Sequence, residues 1–408
     1  MGLSRRQFIR VGGVSLLVAC APSRVDPTRN FERDSDPLTS RDGDPLLVTV
    51  FLRGAADGLH LVPPTGDRGY RALRGPLALR ETLDFHRDFS LHPELAALAA
   101  LSERGQLAVV HAVGSPDPTR SHFEAQDLME LGAAGSSRPK DGWLTRGLRA
   151  RNSDGPFDSL SLTRKQPLAL RGSGAFAIAD PERFGLPGAS ARARAAIAAL
   201  YRSGDDPLRR AGAGALAALD DYERALRSVA PSPRRRLARS GRRAPNKLAS
   251  QADRLLTVVR SGLGVRAAFL ESGDWDTHSN QGTTQGRMAG RIRDLGNGIA
   301  KLADGFGEQR DWLLVVMTEF GRTVRPNGSR GTDHGHGSVM FVAGPRVRGG
   351  LYGDWAGLSP DRLYQGRDLP VLTDWRSVLH EVLRAHLGAT PPSDTFAGFE
   401  PEHLGLIA

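Results

Sequence analysis

One cysteine, Cys20, is all that 408 residues provide, which excludes an intramolecular disulfide. Stability has to come from a buried core, helped by any metal the fold can hold. Long apolar runs are lacking too. The run from Val11 to Ala19 is far below the ~20 residues that cross a bilayer as a helix. Excess charge is confined to one place. Residues 191–260 hold 16 Arg or Lys against 6 Asp or Glu, which accounts for the formal net charge of +10, and the remainder is balanced. At the centre stands Pro231-Ser232-Pro233-Arg234-Arg235-Arg236. Neither a recognised binding motif nor aromatics interleaved with the arginines accompany it, so nucleic acid is not an expected partner. The stretch reads as a solvated helical face suited to anionic envelope surfaces.

The N-terminus carries more information. Ser4-Arg5-Arg6-Gln7-Phe8-Ile9-Arg10 before the short apolar run has the layout of a twin-arginine export signal. Its partner is the twin-arginine translocase, and its destination the periplasm or cell envelope. Leu17-Val18-Ala19-Cys20 resembles a lipobox. Either Cys20 is lipidated and tethers the protein to a membrane, at about 0.8 kcal/mol per buried CH₂, or an ordinary signal peptidase cuts beside an incidental cysteine. Residues 21–45, rich in Asp, Arg, Ser and Pro, read as a flexible tether. Residues 46–408 then form the domain, with a helical, arginine-rich insertion at about 190–262.

Within that domain, strands are expected at Leu46–Leu52, Leu107–Val113, Val265–Leu270, Trp312–Thr318 and Val339–Ala343. Helices are expected at Glu94–Arg104, from Ser121, over Thr283–Phe306 and over Asp374–Leu387. Continuous apolar strands alternating with helices give an α/β fold with a mostly parallel central sheet between helical layers. Such sheets bind ligands beyond the carboxyl ends of their strands, and chemically useful residues fall there. Arg53 to Gly58 follow the first strand, Thr119 to Glu124 the second, Gly273 to His278 the third, and Thr318 to Arg322 the fourth. Thr332 to Gly337 instead precede the fifth.

Carboxylates with imidazoles are the ligand set of divalent ions. Asp276 and His278, two residues apart, form one candidate pair. Asp333-His334-Gly335-His336 is denser, with two imidazoles and a carboxylate in four residues. Asp57 before Gly58 is either a ligand or a turn residue. Glu319 is either a ligand or a partner of Arg322. Ser121 has two readings: a nucleophile at a helix N-terminus with Arg120 holding the anion, or the cap of a Ser121-x-x-Glu124 capping box.

These segments, from Phe51-Leu52-Arg53-Gly54-Ala55-Ala56-Asp57-Gly58-Leu59 to Thr373-Asp374-Trp375-Arg376-Ser377-Val378-Leu379, resemble the domain-of-unknown-function 1501 family. Its members are exported by the twin-arginine route and placed in the alkaline phosphatase and sulfatase-like superfamily. The resemblance implies an alkaline-phosphatase-like three-layer sandwich and hydrolysis of phosphate or sulfate esters at one or two divalent ions such as zinc, manganese or calcium. It gives metal ligation to Asp57, Asp276 and His278, the nucleophile's role to Ser121, and the distant histidine's place to His334 or His336. Phe320 then stands where the superfamily has a histidine, which depletes one metal site. The rival to a hydrolase is an envelope lipoprotein that keeps the fold only to bind.

Overall fold

The computed structural model describes residues 44–408 except 151–154, 182, 187, 203–205, 230–246, 309, 389–394 and 397. The export signal, Cys20, nearly all of the tether and the Arg234-Arg235-Arg236 run lie outside the described residues. Among those described, no helix is long and apolar enough to cross a membrane.

In chain order the elements are β1 (Leu46–Leu52), α1 (Gly58–Leu61), α2 (Arg68–Arg74), the hairpin strands β2 (Leu83–His86) and β3 (Phe89–Leu91), α3 (Ala99–Glu103), β4 (Leu107–Gly114), α4 (His122–Leu131) and α5 (Trp143–Arg149). There follow β5 (Ser159–Ser161), β6 (Phe176–Ala177), α6 (Ala191–Arg202), α7 (Pro207–Ser228), α8 (Leu248–Arg260), β7 (Ala267–Ser272), α9 (Arg287–Phe306), β8 (Trp312–Thr318), β9 (Ser338–Ala343), β10 (Gly350–Tyr352), β11 (Thr373–Asp374) and α10 (Trp375–His386). The five expected strands are present, the third starting two residues later than the apolar pattern suggests. Part of the expected helix over Glu94–Arg104 is a 3₁₀ segment, Pro93–Leu98, that continues into α3.

The main sheet runs β10-β4-β9-β8-β1-β7-β5-β6, with β11 pairing on β4. Every pairing is parallel except the two made by β9, which is antiparallel to β4 and to β8. Central strand β1 is buried at all seven positions, as a strand covered on both faces must be. Leu47 and Phe51 join Leu313, Val315 and Met317 of β8 in a core with Trp143 and Leu144 of α5 and Trp375, Val378 and Val382 of α10. Each such side chain contributes about 1.5–3 kcal/mol by leaving water. Helix α8 is tied to β7 by Gln251, whose amide donates to Glu271 O at 2.6 Å and accepts from Glu271 N at 3.3 Å.

The reversal of β9 explains an oddity of the motif order. Because β9 runs against its neighbours, its amino end lies on the edge where β1, β4, β7 and β8 end. The segment Thr332 to Gly337 therefore arrives at that edge before its strand, not after it. Backbone strain gathers there as well: Ala55, Ala112 and Asp274 take positive φ of 58°, 50° and 65° near the ends of β1, β4 and β7. Non-glycine residues held this way mark sites where geometry outweighs local comfort.

The chain divides into two compact units. The larger, from Leu38–Pro181 and Ser228–Ala408, contains the sheet. The smaller includes Glu182–Arg227, whose described part is mostly the helices α6 and α7. There Arg194 pairs with Glu223 at 2.7 Å, and Phe184 meets Tyr222 edge-on at 5.0 Å.

Candidate metal centre

Four side chains converge at this edge of the sheet. His122 is the first residue of α4, Asp276 and His278 lie just past β7, and His334 lies just ahead of β9. His334 Nε2 is 3.0 Å from His122 Nε2 and 3.0 Å from His278 Nε2. The Asp276 carboxylate oxygens are 3.6, 3.1 and 3.5 Å from the Nε2 atoms of His122, His278 and His334. Donors held at ~2.0–2.2 Å around one tetrahedral ion sit about 3.3–3.6 Å from each other; Asp276 stands at that spacing from His122 and His334, while the imidazole pairs are closer. His122, Asp276 and His334 present donor atoms all within 4.8 Å of one another.

Proton bookkeeping argues the same way. His334 Nδ1 lies 2.8 Å from the Arg120 carbonyl oxygen, which can only accept, so Nδ1 carries the ring proton. In the neutral ring Nε2 is then a bare lone pair. One lone pair cannot serve two imidazole nitrogens at 3.0 Å, whereas a cation held by His122, Asp276 and His334 satisfies those three donors, with His278 beside them.

Every imidazole is also fixed from behind. His122 Nδ1 contacts Glu319 Oε1 at 2.7 Å, and His278 Nδ1 contacts Asp333 Oδ1 at 2.8 Å. A metal-bound histidine usually has such a partner, which sets its tautomer and makes the free nitrogen more basic. Glu319 is fully buried, and Oε1 also accepts from Gly54 N and Gln126 Nε2, both at 2.8 Å. Gly54 is required where it stands: its φ is +115°, and an added Cβ would fall 2.6 Å from Asp276 N. Asp333 Oδ1 accepts a further bond from Asn327 Nδ2 at 2.9 Å. Asp276 Oδ1 is held by Arg322 Nη2 at 2.5 Å, from a guanidinium side chain with no exposure. Phe320 stacks on His122 with ring centres 4.9 Å apart and leans on His334 at 5.2 Å. The phenyl ring thus walls two of the imidazoles.

Electrostatics prepares the donors. The hydrogen bond to Glu319 raises the His122 pKa above the ordinary imidazole value, against the effect of burial. Burial lowers that of His334. Burial pushes Asp276 and Glu319 up, but Arg322 for Asp276, and His122 with Gln126 for Glu319, hold both carboxylates below their usual range. Hydrogen bonds from Asn327 and His278 lower Asp333.

The expected site residues are thus distributed over several roles. Asp276, His278 and His334 supply facing donor atoms; Glu319 and Asp333 stand one bond behind, each against an imidazole. Arg120 offers its carbonyl to His334 while its guanidinium donates to Asp368 Oδ2 at 2.7 Å and Gln365 Oε1 at 2.9 Å. Ser121 is the N-cap of α4, accepting from Glu124 N at 3.5 Å; the Glu124 carboxylate takes its bond from Thr119 Oγ1 instead. His336 stacks on Tyr364 at 4.4 Å. Asp57 is buried against Arg74 Nη2 at 2.5 Å and Gln281 Nε2 at 2.7 Å.

His122 is the residue that sequence reasoning missed. Its segment drew notice for Ser121, yet an imidazole close after the end of β4 carries the same signal as the other donors.

Removing the charge behind His122 gives a direct test. Glu319→Gln is expected to weaken divalent-metal affinity by about 10–100-fold with the fold retained, measured by competition with a chromogenic chelator. Unchanged affinity would mean that Glu319 does not orient a ligand.

No curated protein sequence matches the chain. Among solved structures it is similar to the C-terminal periplasmic domain of EcEptC from Escherichia coli, in complex with Zn, at 12% identity over 75% of this chain and 74% of that one, with a TM-score of 0.29. Residues 192–393, the stretch that carries Asp276, His278, Glu319, Asp333 and His334, match the family model described as "Protein of unknown function (DUF1501)".

Proposed function

We propose that the protein is an exported metal-dependent hydrolase of phosphate or sulfate esters, built on an alkaline-phosphatase-like three-layer fold. The observation that carries this reading is the convergence of His122, Asp276 and His334, with the His278 imidazole beside the last two, each held from behind by a polar partner. Three neutral nitrogens and one oxygen suit zinc or manganese; calcium prefers an all-oxygen shell. When bound, the ion supplies Lewis-acid polarisation of an ester oxygen.

The chain's own groups supply the rest. Arg322 fixes Asp276 so that its carboxylate faces the imidazoles. Arg120 is positioned by Asp368, a fully buried carboxylate that Arg367 also contacts at 3.0 Å. Two guanidinium groups against one carboxylate leave a net positive charge beside His334, suited to the anionic oxygens of a phosphate or sulfate. Ser121 is exposed and adjoins His122 in the chain, and in this reading its hydroxyl is the attacking group. Export rests on Arg5-Arg6, and membrane attachment on a lipid at Cys20.

The test is purified mature protein loaded with zinc or manganese and assayed on an aryl phosphate and an aryl sulfate. Hydrolysis of either supports the reading. With wild-type turnover in hand, Ser121→Ala is expected to abolish it while metal content stays the same. If the side chain serves only as a cap, the cost is about 1 kcal/mol of stability and turnover survives. A second reading is favoured by the number of protein donors, since four can close a shell as structural sites do. It makes the protein a non-catalytic envelope binder, and full metal occupancy with no turnover of either ester would support it.

The direction of the pH dependence follows from His122. Metal binds the neutral imidazole, so protons compete with it. Because Glu319 raises the His122 pKa above the ordinary imidazole value of about 6.5, metal affinity is expected to begin falling above that pH as the solution is acidified. In the metal-free protein the same shift acts oppositely. His122 adds stability that is complete below the unfolded imidazole pKa and is lost as pH rises through the folded one. Metal titrations and metal-free melts from pH 5 to 8 measure both slopes.

A further inference from the structure

Behind the metal centre lies a fully buried polar chain that no ligand assignment uses. Gln281, three residues beyond His278, has no exposure, and neither do Thr277 and Thr332. Gln281 Oε1 accepts from Thr277 Oγ1 at 3.0 Å and from Thr332 Oγ1 at 2.8 Å. Thr277 stands between Asp276 and His278, and Thr332 directly precedes Asp333-His334. One amide oxygen thus joins the two loops that carry three of the four donors. Main-chain bonds reinforce the junction: Thr332 N donates to Thr277 O at 3.1 Å, and Gln281 N to Arg330 O at 3.0 Å.

The other end of the amide is anchored. Gln281 Nε2 donates to Asp57 Oδ2 at 2.7 Å. Asp57 is paired with Arg74, whose Nη1 donates to the carbonyls of Thr323 and Val324, both at 3.3 Å. A primary amide suits the central place at any pH, because its oxygen accepts from two hydroxyls while its nitrogen donates to a carboxylate. Beside Asp57, the guanidinium of Arg74 stands where a cation bound by that carboxylate would have to be.

We propose that Gln281, anchored by Asp57 and Arg74, is a positioning residue for the metal centre, and that the Arg74 guanidinium replaces a second ion so that each chain holds one. The inference rests on the metal-centre reading above. It makes the distance between the 276–278 and 332–334 loops a function of one buried amide. The donors keep their identity without it but lose their spacing.

The test measures metal stoichiometry and affinity, by chelator competition, together with the melting temperature of the metal-free protein. Wild type is expected to bind one zinc per chain. Gln281→Leu and Thr332→Val are expected to lower zinc affinity, by about tenfold for the former, and to do so beyond any change in the metal-free melt. Gln281→Glu sets two carboxylates face to face and is expected to bind more weakly still. Thr332→Val removes one hydroxyl at constant shape, so it decides the matter if Gln281→Leu fails to fold. Wild-type affinity in these variants with only the metal-free melt lowered, or two zinc ions per wild-type chain, would overturn the proposal. A wild type that takes up no zinc would overturn the metal-centre reading itself.

Discussion

His334→Ala is expected to abolish divalent-metal binding, a larger loss than His278→Ala causes. His334 is the shared member of the cluster, with its Nε2 3.0 Å from both other imidazoles and 3.5 Å from Asp276 Oδ1. Its removal breaks the contact with every remaining donor at once. His278→Ala, half-exposed at the rim, leaves His122, Asp276 and the walling Phe320 in place, and is expected to retain weaker binding. The folded metal-free proteins should melt within a few degrees of one another. The measurement is zinc affinity for the two variants side by side, and equal affinities would refute the central place given to His334.

The second large effect concerns stability rather than metal. Asp57→Ala leaves the Arg74 guanidinium, which has no exposure, buried without its carboxylate. Breaking a buried pair from one side costs about 3–5 kcal/mol, against a total stability of roughly 5–15 kcal/mol for a typical domain. Arg74→Met, which strands the carboxylate, is expected to cost about as much. Replacing both, as Asp57→Leu with Arg74→Met, is expected to cost less than either alone, because no unpaired charge remains. Urea unfolding of the three variants checks the order. There is also a pH signature. Burial raises the Asp57 pKa, but Arg74, His60 and Gln281 outweigh it and hold the carboxyl below its ordinary value of 3.8. The stability it contributes is therefore present above that value and lost as pH falls through the lowered one. Asp57→Asn should flatten this part of the acid limb.

The strands were legible because burial on both faces writes itself as uninterrupted apolar residues, as in Leu46–Leu52 and Trp312–Thr318. The outer short strands were not: β5, β6, β10 and β11 have three residues or fewer, too short to show a period. The direction of β9 could not be read from its own residues, since a buried strand has the same composition either way. Its trace was the motif that came before a strand instead of after one. Asp276, His278 and His334 were legible as imidazoles and carboxylates close to strand ends. The division of roles between facing donors and their supports was not. Glu319 and Asp333 look like ligands in sequence, and only distance shows each of them behind an imidazole. His122 was hidden by the serine beside it, and the burial of Asp57 against Arg74 depends on where α2 packs, which no local pattern records.

The most direct measurement is elemental analysis of the purified protein beside its His122→Ala variant. The assignment of His122 as a donor and the existence of the centre both stand on it. The expected result is one equivalent of zinc or manganese per chain in the wild type, after isolation or after reloading at neutral pH, and almost none in the variant. A wild type without metal that also takes none up, or a variant that binds as the wild type does, would contradict the account.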